Sequence, residues 1–101
     1  MFRHCVMLKF KDEATEAQRD LACKGISDLP NHIEEILSYS VGLNAGTRSD
    51  NYDLAVVGDF GSITDYDIYA DHPKHQEVIT KLLAPIIEGR TAVQYFVEGQ
   101  E

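Results

Sequence analysis

Arg3-His4-Cys5-Val6-Met7-Leu8-Lys9-Phe10 alternates without interruption: His4, Val6, Leu8 and Phe10 share one side of an extended chain, and Cys5, Met7 and Lys9 share the other. Both sides are largely apolar, so a strand made of these residues needs cover on both faces. The next segment supplies one cover. Residues 12–15 are a polar break, and Thr15 with Gln18 three places on forms a capping box that opens a helix to about residue 29. Its buried stripe is Gln18, Leu21, Ala22, Gly25, Ile26 and Leu29, and Pro30 closes it. Asn31 and Glu34 are spaced to cap one further turn before Leu37, Tyr39, Val41 and Leu43 resume the two-residue period of a strand. Residues 44–51 (NAGTRSDN) read as a polar loop.

The second half repeats this order: a strand over residues 52–60, a helical region, and a closing strand over residues 91–97. Ser62 and Asp65 propose a cap, after which Ile63, Tyr66, Tyr69 and Ala70 share a helical face. The chain pauses at Asp71-His72-Pro73, and Pro73 suits the first turn of a new helix. That helix carries the most regular stripe of the sequence, His75, Val78, Ile79, Leu82, Leu83 and Ile86, with Pro85 and Gly89 limiting its length. Strand, helix, strand, strand, helix, strand is the split βαβ order of an α+β, ferredoxin-like fold. It makes a four-stranded antiparallel sheet with both helices on one face. No element is left for the other face, which carries Cys5, Met7, Ala55 and Val57 or their alternates. A second copy related by two-fold symmetry would cover it, so a homodimer packed through its sheet faces is expected.

The 101 residues, 44% hydrophobic and 26% charged, suit one domain spanning 1–101. A formal net charge of −8 makes nucleic acid and anionic membrane poor partners. No apolar run approaches the ~20 residues of a membrane span, and Met-Phe-Arg-His-Cys does not read as a signal peptide. A cytoplasmic protein is expected. Cys5 and Cys23 lie in no metal or redox spacing and read as reduced, small core residues. Gly42, Gly46 and Gly58 form no phosphate-cradling or dinucleotide pattern, and no nucleophile elbow is present, so no cofactor is expected. Asp12, Glu13, Glu16 and Asp20 read as a solvated helix face.

Histidine is the side chain most easily poised for proton transfer near neutral pH. Strand parity aligns His4 with Val6 and Leu8, while helical phase puts His75 and Tyr69 on inner faces. If that strand face lies under the helices, the three line one cavity, with Val56 from the third strand. A Tyr and a His within hydrogen-bond reach can act on a carbonyl, the Tyr steadying a developing oxyanion and the His serving as base. The plainer reading is structural: His75 fills the start of its helix, Tyr69 is core, and His4 ends a strand. His72 and His75 form H-x-x-H, a weak metal signal that Pro73 interrupts, and no metal is expected. His32 reads as a loop residue without a partner.

The strand from His4 to Phe10, the Lys11-Asp12 turn, Tyr52-Asp53-Leu54-Ala55 leading to Asp59-Phe60, and Tyr69-Ala70-Asp71-His72-Pro73-Lys74-His75 together resemble the stress-responsive dimeric A/B barrel (Dabb) family over nearly the whole chain. The resemblance implies a ferredoxin-like subunit that dimerises through its sheets into a barrel. Plant polyketide cyclases of this family close a linear polyketide to olivetolic acid by aldol condensation. They use a Tyr and a His that match Tyr69 and His75, and carry a strand histidine matching His4. A pocket tyrosine of those cyclases falls at Ile26, and neighbouring aromatic positions fall at Ala22 and Cys23, so the cavity wall differs in polarity and volume. Tyr69, His75 and His4 are thus the candidate catalytic residues, with Val6, Leu8, Ile26, Val56 and His72 as candidate ligand contacts.

Three functional readings are open at this point. The first is a stress-related or metabolic homodimer binding a small, mainly apolar carbonyl compound. The second is an acid/base enzyme of the cyclase or cofactor-free oxygenase type. The third is a purely structural assembly.

Overall fold

β1 (Phe2–Phe10) is the strand around which the rest is arranged. In the computed structural model, which describes residues 1–97, it lies between β3 (Leu54–Phe60) and β4 (Ile87–Phe96), antiparallel to both. β2 (Ser38–Leu43) pairs with the far side of β3, giving the order β2-β3-β1-β4. Phe2, His4, Val6, Leu8 and Phe10 are buried, whereas Met7 on the opposite face is 46% exposed. The alternation of β1 therefore decides which face the helices cover, and the fold is the ferredoxin-like one its pattern predicts.

α1 (Glu16–Ser27) opens with the full capping box: Thr15 Oγ1 accepts from the Gln18 amide, and the Gln18 side chain accepts from the Thr15 amide. Ala22 and Ile26 are its buried anchors. Leu21, expected on the same stripe, is 57% exposed, because the stripe is narrower than its spacing implies. Gly25 lets α1 approach the last helical segment, since a Cβ there would stand 2.5 Å from Leu82 Cδ1. The turn expected at Asn31 and Glu34 forms earlier, as a 3₁₀ turn over Leu29–Asn31, and the Asn31 amide instead donates to Asp28.

α2 (Ile63–Asp71) is capped by Ser62, whose Oγ accepts from the Asp65 amide. Tyr69 is buried, but Ile63, at the first turn, is 49% exposed. The chain breaks at His72 and restarts as α3 (Pro73–Val78), which runs on as a π-helical turn over Ile79–Leu83. β4 begins at Ile87 rather than near residue 91, with a register shift opposite Lys9 and Phe10. The helices cover β1 and β3 and leave β4 exposed along most of its length.

Register turns the sheet into rows. On the helix side, Tyr39, Gly58, His4 and Gln94 form one row and Val41, Val56, Val6 and Ala92 the next. On the other side, Ser38, Asp59, Arg3 and Tyr95 form a polar row beside Ser40, Val57, Cys5 and Val93. Cys5, Met7, Ala55 and Val57 thus lie on the side without helices. Both cysteines are free and half-buried rather than part of the core.

Candidate functional site

A cavity of about 130 Å³ separates the row of Tyr39, Gly58, His4 and Gln94 from the helices above it. β1 contributes His4, Val6 and Leu8, β3 contributes Val56, α1 contributes Ile26, and the broken second helix contributes Tyr66, Tyr69, His75 and Val78. Tyr39 and Arg90 complete its polar lining. His72 is not at this wall. It caps α3, its Nδ1 accepting from the Lys74 amide at 3.0 Å, and it faces an outer hollow beside Pro30 and Ile68. His72 and His75 therefore line different hollows, and among the described residues no three His, Cys, Asp or Glu side chains gather to hold a metal ion. His32 also lies on the exterior, 2.8 Å from the Asp28 carboxylate.

Tyr69 and His75 are six residues apart, a spacing that on an unbroken helix would turn them about 120° away from each other. The extended backbone of His72 (ψ 135°) re-aims the chain, and the two rings meet with centroids 4.3 Å apart and planes tilted by 40°. They share no hydrogen bond, contrary to the pairing expected of a donor and its base. The break explains this. Ala70, near the end of α2, has a carbonyl with no helical partner, because the Lys74 amide is taken by His72. His75 Nδ1 satisfies that carbonyl at 3.0 Å, together with the Gln76 side chain at 2.7 Å.

The partner atoms assign the tautomers. A carbonyl can only accept, so His75 carries its proton on Nδ1. Burial holds its pKa below the usual value, against the raising effect of the Ala70 bond, so the ring is neutral and Nε2 keeps a lone pair. His4 is the complement. Its Nδ1 lies 2.9 Å from the Gln94 amide nitrogen, which can only donate, so the neutral ring carries its proton on Nε2. Burial, then the Arg90 charge and His75, lower the His4 pKa to about 4. One imidazole thus offers an acceptor and the other a donor.

Tyr69 Oη lies 2.7 Å from Tyr39 Oη. When Tyr39 donates, the Tyr69 proton is free for a ligand in the cavity. Burial pushes the Tyr69 pKa up to about 12, although the Tyr39 bond works against it, so the phenol stays protonated and serves as a donor. Tyr39 is raised further, first by burial and then by Tyr69. Gly58 makes room for this pair, since a Cβ there would stand 3.1 Å from the Tyr39 ring. Tyr66 bridges the remaining gap, its ring 4.9 Å from His4 and 5.9 Å from Tyr69.

Tyr39, Tyr66, Arg90 and Gln94 were not among the residues expected here. Tyr39 shares strand parity with Val41 and Leu43, and Tyr66 lies one turn before Tyr69, so both carried a readable signal. Arg90 and Gln94 carried none, because an edge strand exposed along its length has no alternation to read.

Comparison with known proteins agrees with this architecture. Residues 2–97 match the family model of the stress responsive A/B barrel domain. The chain belongs to the stress responsive A/B barrel domain (Dabb) family. Among solved structures, this Dabb domain is 32% identical to a dimeric ferredoxin-like protein of unknown function from Thermobifida fusca, with a TM-score of 0.86 over 95% of this chain and 90% of that one. A dimeric protein of unknown function from Bacteroides fragilis is 28% identical, with a TM-score of 0.79 over 93% of each chain. The hydroxynitrile lyase of Passiflora edulis shares the fold at 21% identity, with a TM-score of 0.85 over 99% of this chain and 95% of that one. No curated protein is significantly similar in sequence. No helix among the described residues is long and apolar enough to cross a membrane.

Proposed function

We propose that this Dabb protein is a cytoplasmic homodimer that binds a small, mainly apolar carbonyl compound in the cavity beneath its helices. The observation that carries the reading is an open space of about 130 Å³ whose wall combines aliphatic side chains with a neutral donor, His4, a neutral acceptor, His75, and the Tyr69 hydroxyl. Interiors are close-packed, and a void of this order accommodates a molecule about the size of benzene. The homodimer is supported by the dimeric relatives and by the face carrying Cys5, Met7 and Val57, which no helix covers. The cytoplasmic location rests on the acidic composition and the two free cysteines.

A second reading, acid/base catalysis, is favoured by the His75 tautomer. Nε2 can take a proton from the carbon beside a carbonyl while Tyr69 donates to the oxygen that becomes negative. The probe for both readings is 4-methyl-2-pentanone. Binding is followed by amide chemical shifts, and α-proton abstraction by exchange of the ketone's protons for deuterium in D₂O. Shifts clustered at His4, Tyr69 and His75, lost on filling the cavity with Val56→Phe, support the pocket. No clustered shifts would remove it. If the site is catalytic, His75→Ala and Tyr69→Phe each slow exchange by about 10²-fold or more with the fold intact, and unchanged exchange in both variants leaves binding alone.

A further inference from the structure

Among the described residues, Arg90 is the one lining residue with a permanent charge. It faces Leu8 across the β1–β4 pairing, on the helix-covered side, so the face proposed for dimerisation does not take it up. It is exposed as well as cavity-lining, which places it at the mouth. Among the described residues it has no ion-pair partner, although the chain carries seventeen Asp and Glu. No Asp or Glu among the described residues lines the cavity. The other polar groups there are the neutral His4 donor, the neutral His75 and the hydroxyls of Tyr39, Tyr66 and Tyr69. A protein of net charge −8 therefore holds a cavity whose described lining carries one cation and no acid, that cation having no ion-pair partner among the described residues.

We propose that the ligand of this cavity is a small oxo carboxylate, its carboxylate held at the mouth by Arg90 and its carbonyl directed inward to Tyr69 and His4. This deepens the carbonyl reading above and rests on it. Size sets the apolar portion at about six non-hydrogen atoms, by comparison with cavities that hold benzene. Arg90 offers a planar fork of donors suited to a carboxylate, and such charge-assisted bonds are roughly twice as strong as neutral ones. Arg90 is thus a specificity-determining residue.

The test compares two probes that differ at one end, 4-methyl-2-oxopentanoate and 4-methyl-2-pentanone, whose methyl group replaces the carboxylate. Affinities are measured by NMR titration for the wild-type protein and Arg90→Gln. The acid is expected to bind about tenfold tighter or better, and Arg90→Gln should abolish that advantage, bringing the acid's affinity down to that of the ketone for the same variant. Equal affinities with ketone binding intact overturn the carboxylate inference and leave the carbonyl pocket standing. An advantage that survives Arg90→Gln overturns it too. Failure of both probes to bind overturns this inference and the carbonyl reading together.

Discussion

Arg3 and His4 are adjacent on β1, yet one keeps its charge and the other gives it up. Arg3 lies on the face without helices, where its guanidinium forks onto Asp59 at 2.7 and 2.9 Å, and Ser38 adds a third bond to the same carboxylate at 2.8 Å. Asp59 is almost fully buried, and the Arg3 bonds hold its carboxyl below the usual range. His4 lies under the helices, where no carboxylate of the described residues lines the cavity, and burial strips its proton instead. Two routes to a tolerable buried polar group thus operate one residue apart: pairing on the outer face, neutralisation on the inner. Only the second leaves donors and acceptors free for a guest.

The sharpest way to break this contrast is to remove the pair. Asp59→Ala strands the half-buried Arg3 and should lower stability by about 2–3 kcal/mol, read from the midpoint of urea unfolding. An unchanged midpoint would mean that the outer row is ornamental. Acid separates the two faces without mutation. The unfolded chain takes up the His4 proton near 6.5, whereas the folded protein resists until about 4. Stability is therefore full above pH 6.5 and falls as pH drops towards 4, by on the order of 2 kcal/mol. Asp59 is depressed as a carboxylate, so its contribution goes only at still lower pH. His4→Gln should flatten the loss between pH 6.5 and 4, and persistence of the slope would move its origin away from His4. The smallest effect concerns the phenol pair. Tyr39→Phe should cost about 1 kcal/mol, and adding Tyr69→Phe should cost less than the sum of the single changes, because both lose the same bond.

The strand pattern of β1 was readable because it is central: both neighbours and one helical layer press on it, so selection for burial writes a clear two-residue period. The helix break was readable too, since Asp71-His72-Pro73 cannot continue a helix and Pro73 can begin one. The bonds inside the site were harder to see. No spacing rule connects Gln94 with His4 or Tyr39 with Tyr69, because those contacts are set by register between distant strands and by the tilt of α2. Arg90 escaped for a local reason. Glu88-Gly89-Arg90 looks like a loop, and the register shift that admits these residues to β4 is a property of pairing with Lys9 and Phe10, not of composition. His72 shows the converse error, since a histidine beside a candidate base attracts a functional reading when its ring is occupied by a backbone amide.

The central position of β1 also orders events in time. Its two partners, β3 and β4, are synthesised long after it, and Phe2 meets Phe96 across almost the entire chain. During translation β1 leaves the ribosome as an apolar ribbon with neither edge satisfied, while α1 behind it can begin to form from local contacts alone. Closure of the sheet waits for Ile87–Phe96, so the His4–Gln94 contact and the cavity above it are among the last features to exist. A nascent chain stalled before residue 87 should therefore be protease-sensitive throughout and should display β1 to holdase chaperones.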